Sequence, residues 1–238
     1  MKQVIISLFL IFAPVYCIFA QPDITGESEQ KISVLLGHRY SGGFNPHGYE
    51  QFDYTGLFKV GDSYFLKPTK IKVESSLDAC SGDSIFTTKA TAKGECLYLF
   101  WGLKQYTQNA IETHFIAPNR RFILPNKNYI FTFNKGNYSF LGEGTVNHKD
   151  NSIDNYRLIL ANETKNIKQV LVNEELLDNS KVEILFIGDL DGDGDPDFII
   201  NAPPHHDTRN ILLFLSTHKE NDKVLVHCVS QQFDWFDC

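Results

Sequence analysis

The chain has 238 residues, a formal net charge of −7 at pH 7 and 42% hydrophobic residues. This length is sufficient for one globular domain, or two small ones, with a real apolar core. The sequence contains no basic tract, which excludes nucleic acid and anionic membranes as expected partners, because nothing would neutralise their phosphates.

The first twenty residues have the features of a secretory signal peptide. Lys2 precedes the apolar run Val4–Ala13, and Ala20 offers a small residue for cleavage. Pro14 and the short apolar stretch argue against an uncleaved membrane anchor. We expect cleavage after Ala20, which leaves 218 residues (238 minus 20) in a periplasmic or secreted protein without membrane contact.

The first half of the mature chain predicts short strands separated by turns. Apolar and polar residues alternate, and Gly, Pro and Asn mark the connections. Leu103–Thr113 is the one helix candidate. The predicted strands are Ile32–Leu36, the hairpin Gly56–Leu66 with its turn at Gly61 and Asp62, Thr69–Glu74, Ile85–Thr91, and the nearly continuous apolar run Cys96–Trp101.

The second half continues the same pattern, so the sequence predicts an all-β fold. Its hairpins and strands are Asn128–Leu141, Tyr156–Val172, Val182–Ile187, Phe198–Ile200, Asn210–Ser216 and Lys223–Cys228. We expect antiparallel meander, sandwich or barrel-like modules. The sequence pattern changes near Pro125, which favours two modules at 21–125 and 126–238. One domain over 21–238 is an open alternative.

Five aspartates alternate with other residues between positions 189 and 197, and glycines allow the backbone to bend round them. Short carboxylates in this spacing are ligands for Ca²⁺, which takes about six to eight oxygens. Position twelve of the motif is Ile200, not the Glu of an EF-hand, and the flanks have strand character. The predicted ligands are the side chains of Asp189, Asp191, Asp193 and Asp197 and the backbone carbonyl of Asp195.

The segment Ile187–Ile200 resembles the FG-GAP or VCBS-type repeat, in which Asp-x-Asp-Gly-Asp-Gly-x-x-Asp lies between two hydrophobic strands. The resemblance covers about residues 183–203 and implies the same four side-chain ligands. A propeller repeats this unit in every blade, whereas this chain has one copy, so we do not expect a full propeller. More broadly, the chain from Tyr54 onward is similar to secreted bacterial proteins with one such loop near their C-terminus, a resemblance that implies no activity.

Two histidines and an aspartate follow the calcium motif and could in principle bind Zn²⁺ or act as acid and base. His205, His206 and Asp207 come after two prolines. Adjacent residues of an extended chain point to opposite faces, so we do not expect His205 and His206 to share an ion. The sequence favours an exposed loop here.

Four cysteines remain after signal cleavage, and an even number in an exported chain indicates disulfides. We predict the sequence-local pairs Cys80–Cys96 and Cys228–Cys238, because each pair brackets a predicted turn; three pairings are possible. Neither pair has the tight Cys-x-x-Cys spacing that zinc prefers.

The sequence shows no recognisable catalytic set, so it favours a non-enzymatic protein. We expect an exported β protein that Ca²⁺ stabilises and that binds a protein or glycan partner. The alternative is a secreted hydrolase whose site includes His205 and Asp207.

Overall fold

A computed structural model describes residues 32–36, 39–41, 46–77, 82, 84–103, 109–217 and 224–235. The predicted signal peptide, Cys80 and Cys238 lie outside these ranges. The described chain is almost entirely antiparallel β-structure, with short 3₁₀ turns at Pro46–Tyr49 and Pro118–Arg120. Within the described ranges, no helix has the length and apolar character that crossing a lipid bilayer requires.

The first half forms two sheets, and the apolar run at residues 96–101 lies in the interior of one of them, as predicted. The N-terminal sheet has the order β1-β7-β3-β4, and the minor sheet has the order β2-β6-β5. The strands are β1 (Ser33–Leu36), β2 (Arg39–Ser41), β3 (Tyr54–Val60), β4 (Ser63–Thr69), β5 (Ile71–Leu77), β6 (Ser84–Ala90) and β7 (Glu95–Trp101).

The second half forms two meanders in which each strand pairs with the next one along the chain. The middle sheet contains β8 (Asn128–Phe133), β9 (Gly136–Asn147), β10 (Ser152–Asn162) and β11 (Ile167–Leu177). The C-terminal sheet contains β12 (Glu183–Gly188), β13 (Asp197–Asn201), β14 (Thr208–Leu215) and β15 (His227–Trp235). None of these sheets closes on itself, and together they do not form a propeller.

The C-terminal sheet is the central layer of the fold, because both of its faces are buried. Phe198 and Ile200 belong to an apolar cluster with the middle sheet, whereas Ile199 belongs to a second cluster with the N-terminal sheet. The same alternation continues along β14, where Leu212 faces the first cluster and Leu213 the second. Burial on both faces explains the continuous apolar runs of β13 and β14. The second cluster therefore crosses the boundary expected near residue 125.

The helix predicted for Leu103–Thr113 is not present in its described residues, 103 and 109–113. The chain instead runs along the open edge of β12: His114 N–H donates to the Ile187 carbonyl (3.0 Å), and Ile123 N–H donates to the Val182 carbonyl (3.2 Å). Pairing with an otherwise open strand edge satisfies the backbone N–H and C=O groups of this segment. This stabilisation outweighs the weak helix propensity of the segment.

The predicted disulfide Cys80–Cys96 is wrong, because Cys96 is a free cysteine. Cys228 is disulfide-bonded, and its partner lies outside the described residues. The turn expected between Cys228 and Cys238 is replaced by β15, which extends from His227 to Trp235.

The predicted pair Cys228–Cys238 stays a prediction, because Cys238 lies outside the described residues.

Candidate metal centre

The aspartate-rich loop connects β12 to β13, and its own side chains fix its turns. Gly192 and Gly194 adopt φ angles of 81° and 86°, which residues with a Cβ rarely adopt. The backbone N–H of Gly192 donates to Asp189 Oδ1 (2.7 Å), and that of Gly194 donates to Asp189 Oδ2 (3.1 Å). The alternation of Asp and Gly therefore produces the curled loop directly.

The loop brings three of its carboxylates together. One oxygen each from Asp189, Asp191 and Asp197 lie within 4.8 Å of one another. Asp197 is 0% exposed and Asp191 is 8% exposed, so two of these carboxylates lie inside the protein. Such a cluster of oxygen donors is chemically suited to a hard divalent cation.

Hydrogen bonds hold Asp197 at the base of the loop. The N–H groups of Leu190 (2.6 Å) and Asp191 (3.2 Å) donate to Oδ2. Oδ1 accepts from the N–H (2.8 Å) and the hydroxyl (3.1 Å) of Ser216, which follows β14. Each carboxylate oxygen offers two lone pairs, so these four donors fill them and fix the orientation of Asp197, and an ion bound there would take the place of one donor.

Burial raises the free energy of the charged form of the clustered carboxylates. Burial and the nearby charge of Asp191 raise the pKa of the Asp197 carboxyl well above its usual range. Burial also raises the pKa of Asp189, although the N–H groups of Gly192 and Gly194 oppose this effect. In both groups burial is the largest cause of the raised pKa, and neighbouring carboxylates add to it.

The structure does not bring the side chains of Asp193 and Asp195 into this cluster. Asp193 Oδ1 lies 2.8 Å from the Ser216 hydroxyl and shares its single hydrogen with Asp197 Oδ1. The Asp195 side chain points away, accepting from the Tyr138 hydroxyl (3.2 Å) and pairing with Lys165 (2.8 Å). The sequence prediction assigned to Asp195 a backbone carbonyl ligand, a role that leaves its side chain available for these contacts.

The loop contacts the N-terminal sheet, the middle sheet and the end of strand β14 in the C-terminal sheet. Leu190 is fully buried in the apolar cluster that includes the N-terminal sheet. Asn134, in the turn between β8 and β9, donates to the Gly194 carbonyl. Thr217, after β14, donates through its hydroxyl to Asp191 Oδ2 (2.6 Å). No local sequence signal marks these supporting residues, because their contacts depend on how separate sheets pack.

A second polar cluster contains His205 and His206, and here the expectation that the two rings point apart is wrong. Their ring centroids lie 4.0 Å apart, with an interplanar angle of 36°. The chain is not extended at this point, because the Thr208 N–H donates to the His205 carbonyl (3.1 Å) and closes a turn. Asp178, distant in sequence and therefore missed, lies 3.4 Å from His205 Nε2. Asp207 Oδ2 lies 3.4 Å from His206 Nε2.

Comparisons of the chain with family models, curated proteins and solved structures found no match.

Proposed function

We propose that the loop from Asp189 to Asp197 binds one Ca²⁺ and that this ion stabilises an exported β protein that acts by binding a protein or glycan partner. The observation that carries the proposal is the convergence of Asp189, Asp191 and Asp197, two of them buried. The ion pair between Lys165 and Asp195 lies outside this convergent group.

The spacing of the three carboxylates suits calcium. Ca²⁺ binds oxygens at about 2.3–2.6 Å, so two ligands of one ion lie at most about 5 Å apart. The oxygens of the cluster meet this limit, since all lie within 4.8 Å of one another. The Asp195 carbonyl and the Asp193 carboxylate are the further ligands we propose, and water completes the coordination number.

The position of the loop favours a stabilising role for the ion. The loop closes the β12–β13 hairpin and contacts the end of β14 through Ser216 and the middle sheet through Tyr138 and Asn134. A cation that draws the carboxylates together therefore fastens several separate segments at once. The resemblance to FG-GAP repeats supports the same assignment.

Export is part of the proposal and rests on the predicted signal peptide. Cleavage after Ala20 is tested by the intact mass of protein recovered from the periplasm or medium. A mature protein that still begins at Met1 contradicts export through a cleaved signal. Outside the cytoplasm, free calcium is abundant enough to occupy weak extracellular sites of about 10⁻⁴–10⁻³ M.

Calorimetric titration of chelator-treated protein with Ca²⁺ tests the metal site. We expect one ion per chain and at least a tenfold loss of affinity in Asp189→Asn. Asp195→Asn is the matched control, because it makes the same charge change in the same loop while its side chain faces Tyr138 and Lys165. No calcium uptake by the wild type, or equal losses in both variants, contradicts the proposed ligand set.

The second candidate function, a secreted hydrolase, is favoured by one observation: His205 lies within 3.4 Å of Asp178 and 3.7 Å of Asp207. A carboxylate beside an imidazole is the arrangement that orients a general base. Screening ester, glycoside and peptide substrates separates the two functions. Activity that His205→Ala abolishes and Asp191→Asn leaves intact would favour the hydrolase.

A further inference from the structure

We propose that Asp178, His205 and His206 form a second metal site, selective for a divalent transition metal such as Zn²⁺. One ligand atom from each residue lies within 4.8 Å of the others. Two imidazoles and one carboxylate are a donor set that zinc uses, and three protein ligands leave a tetrahedral ion one position for water.

The distances need little adjustment to hold an ion. A tetrahedral Zn²⁺ at about 2.1 Å from each ligand separates neighbouring ligands by about 3.4 Å. His205 Nε2 and Asp178 Oδ2 already lie 3.4 Å apart. The His206 ring lies beside the His205 ring with centroids 4.0 Å apart. The side chains of Asp178, His205 and His206 are 49%, 32% and 46% exposed, so an ion can reach them from solvent.

The backbone fixes the two segments against each other. Asp178 N–H donates to the Pro204 carbonyl (2.8 Å), and His206 N–H donates to the Asp178 carbonyl (3.1 Å). The buried Ser180 hydroxyl donates to the Pro203 carbonyl (2.6 Å). These bonds hold the ends of β11 and the β13–β14 loop together, so the ligands are preorganised before any ion binds.

Asp207 is placed to support a metal-bound His205. The Asp207 N–H donates to His205 Nδ1 (3.1 Å), and the Asp207 carboxylate lies 3.7 Å from the same atom. Coordination through Nε2 moves the ring proton to Nδ1, which then donates to that carboxylate in place of accepting from the N–H. A carboxylate that accepts from the second nitrogen of a ligating histidine is the usual support in zinc sites.

The two proposed sites differ in chemistry and in position. Imidazole nitrogen suits zinc, copper and nickel, whereas Ca²⁺ requires oxygen ligands. The aspartate loop precedes β13, and His205 and His206 follow it. The five residues of β13 separate the two ends by about 13 Å. A variant of one site therefore leaves the other intact, and failure of the calcium proposal does not affect this one.

The test is a Zn²⁺ titration of untagged, chelator-treated full-length protein, with Co²⁺ as a spectroscopic probe of a four-coordinate site. We expect one Zn²⁺ per chain in the presence of excess Ca²⁺, and at least about a tenfold loss of affinity in His205→Ala, His206→Ala and Asp178→Asn. His148→Ala, which changes an exposed turn histidine, is the matched control.

Each outcome of the titration decides the proposal. Loss of Zn²⁺ binding in the three site variants, with retention in His148→Ala, supports it. Absence of stoichiometric binding by the wild type, or unchanged affinity in His205→Ala and His206→Ala, overturns it. Because His206 is an exposed side chain, its variant should keep the metal-free melting temperature of the wild type, which separates loss of the site from loss of the fold.

Discussion

The substitution Asp191→Asn should change the stability of the protein in opposite directions with and without calcium. Asp191 is buried, and its carboxylate lies within 4.8 Å of those of Asp189 and Asp197. It therefore takes part in two of the three repulsive pairs of the cluster. Its neutralisation relieves that repulsion in metal-free protein, whereas in calcium-loaded protein it removes a ligand.

The magnitude in metal-free protein follows from two opposing effects. Two unit charges 4.8 Å apart repel by about 3 kcal/mol at an effective dielectric constant of about 20. Partial exposure of Asp189 and proton uptake by Asp197 reduce the relief from two such pairs to about 3 kcal/mol in total. The asparagine amide also weakens the bonds that Thr217 donates to Oδ2, at a cost of about 1–2 kcal/mol. The net stabilisation is about 1–2 kcal/mol.

The effect in calcium is larger and has the opposite sign. At a calcium concentration about a thousandfold above Kd, binding stabilises the folded state by about 4 kcal/mol. A variant that no longer binds the ion loses this contribution. A change of 1 kcal/mol shifts the Tm of a chain of this length by about 2–4 °C. The wild type should therefore gain about 8–16 °C with calcium, and the variant should gain almost nothing.

Thermal unfolding followed by circular dichroism, in chelator and in excess calcium, measures these shifts. Asp191→Asn should melt above the wild type in chelator and below it in calcium. Asp195→Asn should keep the calcium-dependent shift, since its side chain lies outside the cluster. A variant that melts below the wild type by the same amount in both conditions would refute the reasoning, because it would show that only hydrogen bonds hold Asp191.

Three further predictions concern groups outside the aspartate loop. Burial raises the pKa of Cys96 to about 12 from 9.0, so its thiolate fraction is about a thousandfold below that of an exposed thiol. Mass spectrometry should find it alkylated only after unfolding, and rapid native labelling would contradict this. Because β15 carries the chain about 23 Å from Cys228 to Trp235, peptide mapping of non-reduced mature protein should link Cys228 to Cys80 and not to Cys238, and a Cys228–Cys238 peptide would contradict this expectation. Burial, with a smaller contribution from a nearby arginine, lowers the pKa of His114, so the stability from its neutral form is present above about pH 6.5 and is lost as the pH falls through the lower folded value. Denaturant titrations should show that His114→Gln costs more stability near pH 7.5 than near pH 5, and an equal cost at both would contradict the shift.

The local sequence pattern was sufficient to predict most strands and the all-β fold class. The turn at Gly61 and the alternation of residues 128–133 each determine a hairpin within a few residues, and the structure confirms both. The strand predicted at Lys223–Cys228 begins later in the structure, where β15 starts at His227. The sequence there lacks a turn residue that would mark where pairing with β14 starts.

Contacts between residues that are distant in sequence could not be predicted from local sequence in the same way. The pairing of β1 with β7 joins residues more than sixty positions apart, and no local signal specifies it. Asp178 approaches His205 because β11 and the β13–β14 loop meet at one edge. The aspartate spacing predicted a metal loop, but the choice of Asp189, Asp191 and Asp197 as the convergent carboxylates depends on bonds from Ser216 and Thr217.

The central position of the C-terminal sheet explains how an ion bound in one loop can influence the whole molecule. Its strands contribute to both apolar clusters, so any loosening of β12 or β13 exposes apolar surface on two faces. Leu190, inside the loop itself, is fully buried in the second cluster. If repulsion between the carboxylates opened the loop, Leu190 would leave that cluster, and burial of a leucine side chain contributes about 1.5–3 kcal/mol. The loop and the core are therefore coupled, and calcium at the aspartates should raise the cooperativity of unfolding as well as its midpoint.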